Sequence, residues 1–276
     1  MADLSRLLRI EGATDPGMVR EHNEDAIGFD PALGFAVLAD GMGGYLAGEV
    51  ASGMAIEMTL HVVRGALQSH PAHQLVEGVP YGHVVLEDAI QQANSAIYGT
   101  ALSQPQCSGM GTTLVAALFY DNRVLVAHVG DSRLYCLRDD VLTQLTRDHS
   151  FLQEQIDSGL ITQEEARHSH HRNLVTRAVG IDPLAEVELT EHVAEVGDLY
   201  LLCSDGLTDM IDDDVIASIL LTMRNNLPLA AQQLVLAAND AGGRDNVSVL
   251  LVEVEKPFPA KGAIWNKVSS LLRGTR

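Results

Sequence analysis

Four aspartates stand at comparable points along this chain, each where a run of apolar residues stops or is about to start. Asp40 closes the run Phe35–Ala39 and precedes Gly41, and Asp205 lies just beyond Leu199–Cys203 and precedes Gly206. Asp131 follows Gly130 between the runs Val124–Val129 and Leu134–Leu137, a link that reads as a hairpin tip. Asp245 stands just before the run Val247–Val254. Carboxylates drawn together from distant stretches repel one another, and hard divalent cations that take oxygen ligands relieve that repulsion. Mg²⁺ and Mn²⁺ are the ions that suit such donors. A glycine after the acid lets the backbone approach closely, so the Gly41 carbonyl is a further candidate ligand. Asp-Gly is also a common turn signal in its own right. Both readings stand at this level: repetition of the pattern argues for a metal, each dipeptide alone for a turn.

The elements that must position these acids can be outlined. Phe35–Ala39, Thr113–Phe119, Val124–Val129, Leu134–Leu137, Leu199–Cys203 and Val247–Val254 are short, apolar and rich in β-branched residues, which is strand composition. Two longer segments, about Leu46–Gln68 and about Val84–Ala101, read as helices, the second with Val85, Ala89, Ala93 and Ile97 at four-residue spacing. A third helix is expected after Asp212–Asp214, acids suited to a positive helix N-terminus, and a fourth over about Pro228–Ala241, with Gly242-Gly243 beyond its end. Strands in pairs and helices in pairs predict an α+β fold with antiparallel sheets covered by helices, not a parallel sheet. Residues 148–180 are rich in Gln, Glu, His, Arg and Ser and too poor in apolar residues for a core element. They read as a surface insertion with one or two short helices, a candidate mobile flap.

Composition narrows the function classes. The 276 residues carry a formal net charge of −19, which argues against nucleic-acid binding. Cys107, Cys136 and Cys203 are odd in number and widely spaced, so neither a zinc knuckle nor a disulfide framework is suggested and the reducing cytoplasm is the default. No stretch of 18 or more apolar residues marks a membrane span. The stretch 256–276 holds five Lys or Arg and no acid, with Ile264, Trp265, Val268, Leu271 and Leu272 on one helical face. That is a basic amphipathic tail, able to meet a membrane surface or a partner, or to pack on its own acidic body.

An ordered set of motifs points further. From Thr14 the chain reads TDPGMVREHNEDA, then LADGMGGYLAGEVAS from Leu38 and SGMGTTLVAAL from Ser108. HVGDSRLYCLRDDVLTQLTRDHS follows from His128, NLVTRAVG from Asn173, LLCSDGLTD from Leu201 and GGRDNVSVLLVEV from Gly242. Together they resemble the metal-dependent protein phosphatase family, the type 2C serine/threonine protein phosphatases, in its bacterial form. The resemblance covers about residues 10–255. It implies a four-layer α-β-β-α sandwich, two antiparallel sheets flanked by pairs of helices, with a two-metal centre of Mn²⁺ or Mg²⁺ at one edge. By that resemblance Asp40 bridges the two ions, the Gly41 carbonyl serves one of them, and Asp205 and Asp245 serve the other. Asp131, with Asp205, matches the site of a weaker third ion. Glu24 and Asp25 match acids that hold metal-bound waters, and Arg20 matches the arginine that grips the substrate phosphate.

The implied chemistry is hydrolysis of phosphoserine and phosphothreonine on proteins, expected to be those of a cognate kinase. Two cations that share a water lower its pKa from ~15.7 to about 7, and the resulting hydroxide attacks phosphorus in line. Arg20 offers a planar fork of donors that a lysine lacks. No C-x₅-R loop is present for a cysteine phosphatase. The chain departs from the family at two places: Met42 and Tyr45 stand where relatives carry histidines, which leaves the general acid unassigned, with His22 or a histidine of the insertion as candidates. His168, His170 and His171 are badly spaced for a zinc site, and His149 reads as an organiser of the start of the insertion. Plainer alternatives are an ordinary i,i+4 surface pair for Arg20 and Glu24 and a turn residue for Asn246. At the level of the whole protein, the alternatives are a catalytically weak phosphoprotein-binding regulator or a structural ion-binding protein. A monomer is the default expectation.

Overall fold

The computed structural model describes residues 3–44, 46–162, 165–166 and 174–260. Tyr45, His168, His170, His171 and the tail from residue 261 onward lie outside them. The chain begins with β1 (Leu8–Asp15), β2 (Asp25–Asp30) and β3 (Phe35–Met42), followed by the long helix α1 (Ala47–Ser69). A small two-stranded ribbon, β4 (Leu75–Val76) and β5 (Val79–Pro80), leads into α2 (Tyr81–Ser103). Next come β6 (Gly111–Thr112), β7 (Leu114–Tyr120), β8 (Arg123–Val129), β9 (Arg133–Arg138), β10 (Val141–Gln144) and the short helix α3 (Phe151–Asp157). The rest is β11 (Glu188–Val193), β12 (Leu199–Cys203), α4 (Asp205–Thr208), α5 (Asp213–Met223), α6 (Leu227–Asp240) and β13 (Val247–Val254).

These elements form two antiparallel sheets, β1-β13-β12-β9-β10 and β11-β8-β7-β3-β2, with β6 added to β3. Three hydrophobic layers hold the sandwich. Ala36, Leu38, Val126, Leu134, Tyr200 and Leu250 fill the space between the sheets. α1 and α2 bury Ala51, Ala55, Val63, Ala89 and Ile97 against Phe35, Val37 and Leu114. α5 and α6 bury Ile216, Leu220 and Leu234 against Leu201 and Leu251 of the other sheet. This is the expected α-β-β-α order. The predominance of alanine where α1 meets its sheet is what lets the helix lie close, since small side chains leave the backbones room.

Central strands are covered on both faces, so β7 and β12 are buried along their whole lengths and their sequences are unbroken apolar runs. Edge strands behave differently. β10 alternates exposed and half-buried residues, β11 is half-buried throughout but for its exposed last residue, and β1 turns polar towards its end, so none of the three stands out as an apolar run.

The link carrying Asp131 departs from expectation. It is no hairpin tip: β8 pairs with β7 and β11, whereas β9 pairs with β12 and β10. The turn Gly130–Ser132 therefore carries the chain from one sheet to the other, across the rim of the sandwich. Neither Asp-Gly pair is a turn in the hairpin sense either. Gly41 lies inside β3 and Gly206 in the first turn of α4.

Candidate metal centre

The rim at which β3 ends, β12 ends and β13 begins gathers acids from five stretches of chain. β2 and β3 pair so that Asp25 lies opposite Asp40. Asp205 opens α4 directly after β12, and Asp245 precedes β13, the strand next to β12. Asp131 arrives on the turn between the sheets, 8% exposed, as is Asp25.

Close backbone packing brings these pieces together. A β-carbon on Gly41 would collide with the Gly48 carbonyl of α1, and one on Gly206 would collide with the Asn246 carbonyl beside Asp245. Side chains fix the rest. Asp40 donates its backbone N–H to Thr113 Oγ1 at 3.1 Å and accepts at its carbonyl from the Thr113 N–H and the Thr112 hydroxyl, both at 2.8 Å. Thr113 Oγ1 also meets Ser132 Oγ at 2.7 Å, which ties the Asp40 strand to the Asp131 turn. The Ser204 hydroxyl donates to Asp25 Oδ2 at 2.8 Å.

Asn246 does more than turn the chain. It is 5% exposed, its amide donates to the carbonyls of Pro16 and His22 at 3.0 and 2.8 Å, and its Oδ1 accepts from the Glu24 N–H at 2.7 Å. With the Met18 N–H donating to the Gly243 carbonyl, this moors the loop carrying Arg20 and Glu24 against the segment carrying Asp245. Arg20 then reaches Asp245 Oδ2 at 2.6 Å. The i,i+4 pairing of Arg20 with Glu24 gives way to this contact across 225 positions of sequence.

The electrostatics of the cluster follow from crowding. Loss of water raises the Asp40 carboxyl well above the usual range, and the charges of Asp25, Asp205, Asp131 and Asp245 raise it further. Asp205 is raised in the same way, by burial first and then by Asp131, Asp209, Asp245 and Asp25. Burial is also the main cause that lifts Asp25 to about 6 and Asp131 to about 7. Glu24 is raised too, again chiefly by burial. Arg20 partly offsets the rise of Glu24 and Arg133 that of Asp131, yet both acids remain raised. Arg20 serves Asp245, and Arg133 is committed to Asp148 through three hydrogen bonds of 2.7–3.0 Å. Two buried oxygens, Glu24 Oε1 and Asp25 Oδ1, have no hydrogen-bond partner. Hard oxygen donors, mutual repulsion and orphaned acceptors together fit Mn²⁺ or Mg²⁺.

The cysteines take no part. All three are buried and free, with the Cys136 thiol pushed up to about 11 and Cys203 to about 12, chiefly by burial. Met42 ends β3 half-buried, and His22 is exposed on the mooring loop.

Comparison with known proteins decides the affiliation. Residues 19–236 match the family model described as Protein phosphatase 2C. The chain belongs to the protein phosphatase 2C family. It is 41% identical over 257 residues to the serine/threonine protein phosphatase PstP of Mycobacterium tuberculosis, a match covering 92% of this chain and 46% of that protein. The chain thus spans about half the length of that relative. It is 39% identical over 249 residues to the serine/threonine phosphatase stp of Listeria innocua, covering 89% of this chain and 96% of the relative. The crystal structure of the PstP catalytic domain in complex with two manganese ions superposes with a TM-score of 0.77 at 39% identity, covering 90% of this chain and 98% of that one. No helix among the described residues is long and apolar enough to cross a membrane.

The raised acids of this family member make a prediction about stability. A carboxyl whose folded pKa exceeds its unfolded value of about 4 stabilises the fold at low pH and loses that contribution as pH rises through the folded pKa. For Asp25 and Asp131 the loss falls between about pH 4 and pH 7. Bound cations cancel it. The gain in melting temperature on replacing EDTA by Mn²⁺ is therefore expected to grow from pH 5 to pH 7.5 in thermal unfolding. A gain that stays constant across that interval would contradict the repulsive cluster.

Proposed function

We propose that this protein hydrolyses phosphoserine and phosphothreonine monoesters on other proteins with the help of Mn²⁺ or Mg²⁺ at the acidic rim. The observation that supports it most directly is the meeting of Asp40, Asp131, Asp205 and Asp245 at one edge of the sandwich with Arg20 beside them. Asp40, the Gly41 carbonyl, Asp205 and Asp245 would hold two ions, Asp131 together with Asp205 a weaker third, and Glu24 and Asp25 the waters around them. Bound there, such ions supply Lewis acidity, bringing the pKa of water towards neutrality and offsetting phosphoryl charge.

The chain's own side chains supply recognition and order. Arg20 sits at the rim with half of its side chain exposed, so its guanidinium can turn from Asp245 to two oxygens of an incoming phosphate. Asn246 and Ser204 hold the Arg20 loop and the Asp25 carboxylate in place. Met42 has no proton to give, so protonation of the leaving oxygen falls to water or to a rim side chain such as His22. In this reading residues 1–255 form the catalytic unit, the 148–180 insertion is a substrate-facing flap and residues 256–276 are a basic tail. The protein works as a monomer in the cytoplasm on targets of a cognate serine/threonine kinase. A regulator that binds phosphoproteins without cleaving them would be expected to have lost a ligand, and every one is present.

Turnover of p-nitrophenyl phosphate and of a phosphothreonine peptide should require Mn²⁺ or Mg²⁺ and vanish on chelation. Asp40→Asn and Asp205→Asn should each lower kcat by several orders of magnitude with the fold intact by circular dichroism. Turnover that survives complete metal removal would refute the proposal. Arg20→Ala should raise KM for the phosphopeptide about 10- to 100-fold, the worth of a charge-assisted hydrogen bond, while Mn²⁺ binding persists. Unchanged peptide kinetics would remove Arg20 from its role.

A further inference from the structure

The stem of the insertion at 148–180 meets the turn that carries Asp131 at His149. At its stem Ser150 bridges to Val175, the Phe151 N–H donates to the Leu174 carbonyl at 2.9 Å, and the Thr176 N–H donates to the His149 carbonyl at 2.8 Å. His149 is 3% exposed and faces the turn that carries Asp131. It engages both backbone groups of Gly130: its own N–H donates to the Gly130 carbonyl at 3.0 Å, and its Nδ1 accepts from the Gly130 N–H at 3.2 Å. Gly130 has little freedom to respond otherwise. Its φ of +108° is left-handed, and a β-carbon there would lie 2.7 Å from Thr113 Cγ2.

Since Nδ1 accepts, the ring proton is assigned to Nε2, which lies 3.3 Å from Glu188 Oε2 and 3.4 Å from Arg177 Nη1. The ring also stacks on His128 at a centroid distance of 4.5 Å, with planes 16° apart. His128, His149 and Glu188 are close enough together to suggest a metal site of their own. The stacking argues against that. Nearly parallel rings place their in-plane lone pairs side by side and not towards one point, and His128 Nε2 already meets the Arg147 carbonyl at 2.8 Å. Stacked, buried and hydrogen-bonded at both ring nitrogens, His149 is held rigid.

From Gly130 the path is short. Asp131 is the next residue, and Ser132 after it touches Thr113, which bonds Asp40. We infer that His149 is a positioning residue that clamps the Asp131 turn to the stem of the insertion through its Nδ1, and so sets the carboxylate of Asp131 in the place where it can serve a cation. The inference rests on the reading of Asp131 as a metal ligand. An Nδ1 acceptor is the specific requirement, and substitutions separate it from bulk. In His149→Asn the Oδ1 stands at the position of Nδ1, whereas His149→Gln reaches only towards Nε2 and His149→Leu fills space without an acceptor.

The experiment is Mn²⁺ titration calorimetry on the full chain, for the parent, His149→Leu, His149→Gln, His149→Asn and Asp131→Asn, with circular dichroism to establish folding. Asp131→Asn should abolish the weakest Mn²⁺ event. His149→Leu and His149→Gln should weaken that same event about 10-fold, as loss of a residue that orients a ligand does, and His149→Asn should restore it to within about 2-fold. If His149→Leu fails to fold, the contrast between Gln and Asn carries the test. A weakest event unaltered in His149→Gln and His149→Leu, or weakened as much in His149→Asn, overturns the clamp while leaving Asp131 a ligand. A Mn²⁺ isotherm unaltered in Asp131→Asn overturns both.

Discussion

Repulsion among carboxylates that have been drawn out of water governs this structure. Asp25, Asp40, Asp131 and Asp205 are each raised above their normal range, first by burial and then by neighbouring carboxylates, Asp245 in the case of Asp25 and Asp148 in the case of Asp131. An interior that kept them close without relief would bear a cost of several kcal/mol for each unpaired charge. The arrangement is tolerable only if protons or cations share the space, and at neutral pH cations are the stronger remedy. Seen this way, the overall charge of −19 is no obstacle to an anionic substrate, because local ions set the field that a phosphate meets.

The sandwich exists in a form that can meet this cost. Its three apolar layers make a stiff frame, and the acids are placed at strand ends, where the hydrogen-bonded ladder stops and backbone is free to bend round the rim. Gly41 and Gly206 matter through contact and not through unusual torsion: each lies where another backbone passes too close for a side chain. Thr113, Ser132, Ser204 and Asn246 add hydrogen bonds between segments far apart in sequence, so no acid is positioned by its own element alone. His149 joins the same net through the backbone of Gly130.

Much of this was readable from the sequence, and the exceptions have physical causes. Strands covered on both faces, such as Leu114–Tyr120 and Leu199–Cys203, betray themselves as unbroken apolar runs, and the helices declare their lengths through periodicity and through Gly242-Gly243. Leu8–Asp15, Val141–Gln144 and Glu188–Val193 did not, because edge strands exposed on one face carry Arg, Glu, Thr and Gln that also suit loops. The sheet-to-sheet crossing at Gly130–Ser132 looked like a hairpin since two strands and a short glycine-containing link read alike whether or not the strands pair. Four acids at strand ends were visible as a pattern, yet only the ordered motifs of the family singled out Glu24, Asp25 and Arg20. The mooring role of Asn246 and the clamp formed by His149 depend on partners 222 and 19 positions away, which no local spacing reveals.

The central claim, that the rim acids hold protons until cations displace them, is most directly tested by counting protons. Calorimetric titration with Mn²⁺ in buffers of differing ionisation enthalpy yields the number released on binding. At pH 6 the release should be about one proton or more per protein, because burial and carboxylate crowding raise Asp25, Asp40, Asp131 and Asp205 together, and it should decline as pH rises towards 8. Mn²⁺ binding with no proton release at pH 6 would contradict the account.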